Sequence, residues 1–553
     1  MPYSFVANTS TNRGSVGWKR RATVAMVGVA AAATGIAGCG AGPAQPHQAT
    51  PLSVLVQGFK RGPDALAKRL GATKLRHIVI ITQENRSFDS MFGTFPHAYG
   101  FSATKHICVR DGHGHCLKPY HTRSDISAGG PHGYHETPID IDGGKMDGFV
   151  KAALKHQQCG VEGHTCHMKS ARRVMSYYDG HEIPNYWTYA RRFALADHFF
   201  EATGNWSFPS HLYEVSGWAA QCKSEDPMSC SPTLDYKQER HGKNKMILAW
   251  TDITYLLHAA HVSWRYYVEP GMRPDCTNGN EEYCSPGTQT VRNGSIWNPL
   301  PQFETVKEDR QVGDVQSVSR FITAAHKGTL SSVNWIIPSQ KDSEHAPARE
   351  SDGQAYVTRL VNAVMSGPDW RSTAIFINWD DWGGLYDNAR PPRIDKYGYG
   401  IRVPLIIVSP WARPHTVFHA DLSSDAFLKL IEDRFLDGQR LNPRTDGRPD
   451  PRPDVREDAA KLGNLLRAFN FHQRAIKPFW TRPRPHSMDF TEPAGYPPAQ
   501  RACTGLCQDA VRDPLIAFQQ LSLGSSSSRP QSGANGSPAT SGAPRDQRAG
   551  KAR

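Results

Sequence analysis

The run His77-Ile78-Val79-Ile80-Ile81-Thr82 decides the fold, because apolar and β-branched side chains occupy both faces of one predicted strand. Such a strand is typical of the buried centre of a parallel sheet. Three further runs of this kind and two helical patterns follow, at 332–337, 374–379 and 404–409 and at 354–366 and 425–435. Strands that alternate with helices predict an α/β fold with a central, mostly parallel sheet flanked by helices.

The composition of the 553 residues indicates which parts of the chain can fold and which classes of protein are excluded. With 39% hydrophobic residues and 13 Trp, the chain has enough apolar mass for a sizeable core. After the N-terminal segment, no apolar run reaches the roughly 18 residues of a membrane span, which excludes a multispanning membrane protein. The predicted folded body, 76–521, contains two stretches rich in Gly, His and Cys, 101–175 and 219–300, which we expect to be long excursions around the sheet. The Ser-, Gly- and Pro-rich end, 522–553, is typical of a disordered tail.

The N-terminus carries the features of an export signal. A basic triplet at 19–21 precedes the small, apolar stretch 22–38, and Cys39 follows directly. The end of this stretch resembles a bacterial lipobox, in which the cysteine is lipidated and becomes the mature N-terminus. We therefore expect a lipoprotein-type signal peptide over 1–38, a membrane anchor at Cys39 and a tether over 39–75, which places the protein in the periplasm or at the cell surface. An ordinary cleavable signal, which would release a secreted protein, is the alternative.

The net charge of +12 is concentrated at the two ends of the chain. The segments 1–38 and 522–553 contribute +4 each, which leaves only +4 for the long body between them. A mild excess of this kind favours anionic substrates or an anionic membrane surface weakly. It is not the concentrated basic footprint of a nucleic-acid-binding domain, and we predict no nucleic-acid partner.

Besides Cys39, ten cysteines fall into short-range pairs. These are 108/116, 159/166, 222/230, 276/284 and 503/507. An even number of locally paired cysteines in an exported protein predicts small-loop disulfides. Metal binding is the alternative, but the sequence contains no Cys-x-x-Cys spacing of the kind that zinc ribbons use.

Oxygen ligands follow two of the predicted strands. Glu84 and Asn85 come directly after the first strand, and Asp380 and Asp381 come directly after the strand at 374–379. In open α/β sheets, ligands bind beyond the carboxyl ends of the strands. Adjacent carboxylates repel each other unless a cation neutralises them, and an all-oxygen set suits one hard divalent cation such as Ca²⁺, Mg²⁺ or Mn²⁺. The alternatives are a polar helix cap at the first segment and a solvated turn at the second.

Several short motifs occur in a fixed order along the chain. They are QENRSFD at 83–89, GKMDGF at 144–149, IPNYW at 183–187, SEH at 343–345, DDWGG at 380–384, RVP at 402–404, SPW at 409–411 and LKLIE at 428–432. Together they resemble the bacterial phosphoesterase family of secreted phospholipases C and acid phosphatases, within the alkaline-phosphatase-like superfamily. The resemblance covers about 76–472 and implies an alkaline-phosphatase-like sheet.

The resemblance also implies a metal-dependent site. Glu84 and Asn85 match the first metal ligands of the family, and Asp380 and Asp381 match the acidic pair that completes the set. The stretch NWSFPSHLY at 205–213 resembles the nucleophile segment, in a register that makes Ser207 both nucleophile and metal ligand, with Ser210 as the local alternative. An Asp-Asp pair is more typical of the acid phosphatase branch, since many phospholipases C have Asp-Glu.

Two histidines are implied as substrate contacts. His345 matches a histidine that contacts the substrate phosphate, and His132 matches a second one, with His135 as its nearest rival. The chain departs from the family pattern at Asn388 and at Ser424, where members often have histidine. These departures leave the implied ligands and nucleophile intact and bear on the substrate.

Three functions follow from these observations. The first is an exported, metal-dependent phosphoesterase that hydrolyses phospholipid head groups through a covalent phosphoserine, as a phospholipase C does. The second is a broad acid phosphatase that acts on small phosphomonoesters. The third, from another class, is a non-catalytic lipoprotein that binds phosphate or lipid. A cation on the serine oxygen would stabilise the alkoxide without a general base, which favours the enzymes.

Overall fold

The computed structural model describes residues 67–68, 70–127, 129–155, 171–234, 246–274 and 287–491. Several predictions concern residues outside these ranges. They are the signal peptide over 1–38, the anchor at Cys39, the tail over 522–553 and the cysteine pairs 159/166, 276/284 and 503/507.

One sheet of eight strands forms the centre of the fold. In chain order its strands are β1 (His77–Gln83), β2 (Ala194–Ala196), β3 (Trp264–Val268), β4 (Val315–Ser317), β5 (Val333–Ile337), β6 (Thr373–Trp379), β7 (Leu405–Val408) and β8 (Thr416–Phe418). They lie in the order β4-β3-β5-β1-β6-β7-β2-β8. All neighbours are parallel except that β7 runs antiparallel to both β6 and β2. The predicted α/β fold with a mostly parallel sheet is confirmed.

The centre of this sheet places the ends of two strands side by side. Ile80 of β1 lies between Trp335 of β5 and Phe376 of β6, and all three side chains are fully buried. The pairing of β1 with β6 continues to the last residues of both strands, Gln83 and Trp379. The residues that follow these strands therefore leave the sheet at the same edge.

Helices cover the sheet and connect its strands. They are α1 (Phe88–Phe92), α2 (Thr137–Ile141), α3 (Phe149–Lys155), α4 (Pro184–Arg192), α5 (Ser207–Ser216), α6 (Ile253–Ala259), α7 (Glu304–Glu308), α8 (Val318–Lys327), α9 (Glu350–Ser366) and α10 (Asp425–Phe435). Among the described helices, none combines the length and the apolar character that crossing a bilayer requires.

Within the described ranges, four two-stranded ribbons lie outside the central sheet. They pair Val109–Arg110 with Cys116–Leu117, Tyr120–His121 with Ser176–Tyr177, Ala220–Cys222 with Cys230–Pro232, and Gly271–Met272 with Thr288–Gln289. Disulfides join Cys108 to Cys116 and Cys222 to Cys230, as their spacing predicts. Each bond closes one of these ribbons.

Two expectations about the sheet are wrong. The run at 404–409 was expected to form a parallel strand, but β7 is antiparallel to both of its neighbours. Apolar residues on both faces of a strand indicate that it is buried, but they do not indicate its direction. The stretch 219–300 was expected to be an excursion, but it contains β3, a strand of the central sheet. Arg265 interrupts the apolar pattern of β3, which hides it in the sequence.

Candidate active site

Two acidic segments meet where β1 and β6 end. Asp380 donates its backbone N–H to the carbonyl of Gln83 (2.9 Å), which continues the pairing of the two strands by one step. The carboxylate of Asp380 then accepts the backbone N–H of Asn85 through Oδ1 (3.1 Å) and that of Asp381 (2.8 Å). The structure therefore brings Glu84 and Asn85 together with Asp380 and Asp381.

A tight backbone contact holds the two segments in place. Asn85 adopts a left-handed conformation (φ 62°), and Gly383 does so too (φ 59°). A β-carbon at position 383 would lie 2.6 Å from the carbonyl oxygen of Asn85, so a side chain there would push the segments apart. Glycine at 383 is therefore required both by its conformation and by this close approach.

Ser207 is the first residue of α5 and is fully buried among these acids. Its Oγ lies 3.2 Å from Glu84 Oε2 and 3.2 Å from Asp381 Oδ2. Ser210, the alternative nucleophile, lies one turn further along α5, where its hydroxyl makes no hydrogen bond within the described residues. Of the two serines, Ser207 is therefore the one whose hydroxyl contacts Glu84 and Asp381.

The oxygens around Ser207 fit a bound cation. The hydroxyl has one proton, so it satisfies one of its two carboxylate neighbours at a time, and the second oxygen–oxygen contact is repulsive without a further positive charge. The side-chain oxygen of Asn85 is buried and makes no hydrogen bond within the described residues. Glu84, Asn85, Asp380 and Asp381 are therefore suited to hold a divalent ion beside Ser207.

Two histidines flank this cluster. His132 is buried, with Nδ1 2.8 Å from the carbonyl oxygen of Gly130 and Nε2 3.3 Å from the amide nitrogen of Asn85. His345 is also buried, with Nδ1 2.7 Å from the carbonyl oxygen of Ala346. The two rings lie 6.4 Å apart. Because both Nδ1 atoms donate to carbonyls, Nε2 is the atom that each ring presents to its other neighbours.

The rival of His132 lies elsewhere. His135 is exposed and packs its ring against Tyr134, 5.3 Å away. Of the two candidates, the structure therefore places only His132 against the predicted metal ligands, with Nε2 4.0 Å from Asp381 Oδ2.

Three further ionisable residues in this region were not predicted from the sequence. His211 Nε2 lies 3.8 Å from both Glu84 Oε1 and Asp380 Oδ2. Glu201 accepts the backbone N–H of Trp382 (2.7 Å), and Glu214 accepts the hydroxyl of Thr82 (2.9 Å). His211 and Glu214 follow Ser207 by four and seven residues, which are the spacings of one helix face. That spacing is the signal that could have found them.

Burial shifts the ionisation of all three groups. Burial lowers the pKa of His211 to about 4 and raises the pKa of Glu214 to about 7. Burial also raises the pKa of Glu201 well above its usual range, and the nearby charge of Asp381 adds to this. His211 is therefore a neutral imidazole at ordinary pH, and the two glutamates hold protons more tightly than exposed ones do.

Other residues of the family-like motifs support the backbone of the site. Arg86 forms a buried ion pair with Glu350 and donates to the backbone carbonyl of Glu344 (2.6 Å). The side chain of Glu344 accepts from the hydroxyl of Tyr186 (2.6 Å) and from the indole of Trp379 (2.8 Å). These contacts join the end of β1 to the loop that carries His345.

A second buried cluster lies around Arg402. The guanidinium of Arg402 donates to Asp387 Oδ1 (3.0 Å), to Asp89 Oδ1 (3.0 Å) and to the side-chain oxygen of Asn388 (3.0 Å). All three charged groups are fully buried. Asn388, one of the departures from the family pattern, therefore belongs to this cluster. The other departure, Ser424, lies beside Asp380 in the wall of a small cavity.

Comparison with known proteins gives a family match and several curated relatives. The model of the Phosphoesterase family matches residues 75–436, which is more than half of the chain. "Non-hemolytic phospholipase C" of Burkholderia pseudomallei is 24% identical over 461 residues, which cover 73% of this chain and 60% of that protein. "Hemolytic phospholipase C" of Pseudomonas aeruginosa is 26% identical over 405 residues, which cover 65% of this chain and 53% of that protein. "Phospholipase C B" of Mycobacterium tuberculosis is 24% identical over 421 residues, which cover 66% of this chain and 74% of that protein.

The first two of these matches therefore span little more than half the length of the relatives. The family model and these relatives agree in what the chain is similar to, a phosphoesterase.

Proposed function

This chain belongs to the Phosphoesterase family, and from that premise we propose that it is an exported phospholipase C that works through a phosphoserine at Ser207. It cleaves the bond between diacylglycerol and the phosphorylated head group. One observation carries the proposal: the Ser207 hydroxyl lies 3.2 Å from two carboxylates at the carboxyl ends of central strands. The phospholipases C among the relatives support the choice of substrate.

The residues divide the reaction into two steps. Ser207 Oγ attacks phosphorus in line with the leaving alcohol, so the new O–P bond forms as the bond to diacylglycerol breaks. The serine proton passes to Glu84 or Asp381, which already contact Oγ. Water then hydrolyses the phosphoserine and releases the phosphorylated head group.

A divalent ion held by Glu84, Asn85, Asp380 and Asp381 would supply Lewis-acid stabilisation of the negative charge on the serine oxygen. Asp380 orients this set, because its Oδ1 fixes the backbone of both Asn85 and Asp381.

The two histidines bind the phosphate and serve the leaving group. Because Nδ1 of each ring donates to a backbone carbonyl, Nε2 is the nitrogen through which His132 and His345 act on the substrate, and His132 Nε2 lies 3.3 Å from the amide nitrogen of Asn85. In the imidazolium form, Nε2 donates a hydrogen bond to a non-bridging oxygen or a proton to the departing alkoxide. His345 suits the phosphate oxygens, which is the role that the family resemblance implies for it. His132, with Nε2 4.0 Å from Asp381 Oδ2, suits a second non-bridging oxygen or the leaving group.

Acid phosphatase activity on small monoesters is the second candidate. The observation that favours it is the Asp380-Asp381 pair, which is more typical of that branch of the family. The same nucleophile and ligands serve both reactions, since only the groups on phosphorus differ.

We also propose that the enzyme is exported and anchored through a lipid on Cys39. The lipobox-like end of 22–38 supports this, and so do the two disulfides of the described body, which suit an oxidising compartment. A tether of this kind would hold the enzyme at a membrane, where a phospholipase finds its substrate.

A substrate panel tests the proposal. The purified protein is assayed on phosphatidylcholine, phosphatidylethanolamine and p-nitrophenyl phosphate, with the Ser207→Ala variant as the blank. Release of diacylglycerol is the expected result. Cleavage of the monoester alone would establish the phosphatase, and inactivity on all three substrates would contradict both candidates.

A further inference from the structure

A second group of metal-ligating atoms lies on the side of Glu84 that faces away from Ser207. Glu84 Oε2 contacts Ser207, whereas Glu84 Oε1 lies 3.8 Å from His211 Nε2. The same nitrogen lies 3.8 Å from Asp380 Oδ2. The three ligand atoms, one from each residue, all lie within 4.8 Å of one another, and all three residues are buried.

Two of these atoms have no hydrogen bond to explain their position. His211 Nε2 and Asp380 Oδ2 make none within the described residues, although both are buried. A separation of 3.8 Å is too long for a hydrogen bond. It does fit two ligands of one ion, because atoms that each lie about 2.1 Å from a metal are at most about 4.2 Å apart.

We propose that Glu84, His211 and Asp380 form a second divalent-cation site beside the one at Ser207, with the Glu84 carboxylate bridging the two ions through its two oxygens. This inference rests on the proposed function, which supplies the first ion. One imidazole and two carboxylates suit a borderline cation such as Zn²⁺, Mn²⁺ or Fe²⁺ better than Ca²⁺ or Mg²⁺.

The charge of the region favours a second ion. Glu84, Asp380 and Asp381 are buried together, and Glu201 and Glu214 lie close behind them. One divalent ion compensates two charges, whereas the acids of the two ligand sets, Glu84, Asp380 and Asp381, already number three.

The space next to His211 suits a further ligand of the ion. A small cavity of about 10 Å³ lies there, which is close to the smallest space that can hold one water molecule. Its wall includes four polar side chains besides His211, each with an oxygen that makes no hydrogen bond within the described residues. They are Glu201, Ser210, Glu214 and Ser424. A water molecule in this cavity would connect the ion to these oxygens.

Metal content of the wild-type protein is the first test. The full chain is loaded with Zn²⁺ or Mn²⁺, dialysed and measured by elemental mass spectrometry against protein concentration. Two equivalents per chain are expected, and anomalous diffraction should place one ion against His211 and one against Ser207. One equivalent or none overturns the second site. Phosphoesterase activity with a single ion would overturn this inference and leave the proposed function standing.

A variant pair locates the second ion. His211→Phe keeps a planar ring but removes the nitrogen ligand, so the content should fall from two equivalents to one. The matched control is His472→Phe, an exposed histidine outside the site, which should retain two. In Co²⁺-loaded protein, His211→Phe should change the visible absorption spectrum, because it removes the nitrogen ligand of the second ion. Two equivalents in His211→Phe would overturn the assignment, and if this variant does not fold, the wild-type count still decides.

Discussion

Two buried clusters of acids in this protein are built in opposite ways. Around Arg402, the carboxylates of Asp89 and Asp387 receive charged N–H donors from one guanidinium. Around Ser207, the carboxylates of Glu84 and Asp381 receive a hydroxyl, and Asp380 receives backbone amides. A buried charge is inexpensive only when an opposite charge accompanies it. The first cluster contains its own counter-charge and stabilises the fold, whereas the second is compatible with a counter-charge supplied by a metal ion.

Loss of the nucleophile should have the largest effect. Ser207→Ala removes the oxygen that attacks phosphorus, so we expect turnover to fall by about 10⁴-fold or more. Ser207 is the first helical residue and not the N-cap of α5, and alanine is well tolerated inside a helix, so the thermal midpoint should change little. Steady-state assays of this variant and of Ser210→Ala measure the difference. Near-normal turnover in Ser207→Ala, with loss in Ser210→Ala, would move the nucleophile to residue 210.

Removal of the internal counter-charge should have the next largest effect. Arg402→Met leaves Asp89 and Asp387 buried without their cation, which we expect to cost about 3–5 kcal/mol of unfolding free energy. Urea denaturation monitored by tryptophan fluorescence measures this. The control is Arg413→Met, an exposed arginine, which should change stability by less than about 0.5 kcal/mol. A mild effect of Arg402→Met would mean that the two clusters do not differ as described.

In the metal-free protein, the cluster at Ser207 should make stability depend on pH. Burial raises the pKa of Glu214 from 4.5 to about 7, so between these values the folded state holds a proton that the unfolded state releases. The contribution of Glu214 to the free energy of unfolding is therefore largest below pH 4.5. It is lost as the pH rises through 7, and the loss amounts to about 3 kcal/mol. Denaturation of chelator-treated protein at pH 5 and pH 8 gives the slope. Glu214→Gln should flatten it, and an unchanged slope would assign the proton to another group.

Removal of one carboxylate that contacts Ser207 should lower the metal affinity without lowering the stability of the fold. We expect Asp381→Asn to reduce metal affinity by more than about 100-fold, since even groups that only support a ligand contribute 10–100-fold. In the chelated protein the same variant should be as stable as the wild type or slightly more stable, because it removes a repulsive charge. Calorimetric metal titration and denaturation measure the two quantities. Marked destabilisation of chelated Asp381→Asn would give Asp381 the structural role that Arg402 has in the other cluster.

The sequence predicts best what neighbouring residues determine. β1 and β6 are evident because each contains four successive apolar residues, and β5 is evident because a single neutral Asn334 is its only polar residue. The acids that follow β1 and β6 are positioned by the ends of these strands. β2, β4 and β8 have three residues each, so they carry too little pattern to be recognised.

Contacts between distant residues were not predictable. Asp89 and Arg402 are separated by 313 residues, and nothing local marks either as half of a buried pair. His211 was within reach, since it lies one turn from Ser207 on α5, but the position of α5 against β6 is a tertiary property.

The register between β1 and β6 also limits how this site can change over evolution. Because Gln83 lies opposite Trp379, any slip between the strands would move the acids relative to each other by a whole residue, about 3.3 Å. Such a step is larger than the difference in metal–oxygen distance between one divalent ion and another. A shift of the backbone register is therefore too coarse to adapt the site to a new ion. Such adaptation must come from side-chain length. An exchange of Asp381 for glutamate, one methylene longer, is the smallest adjustment available, and selection among related enzymes would act on that choice.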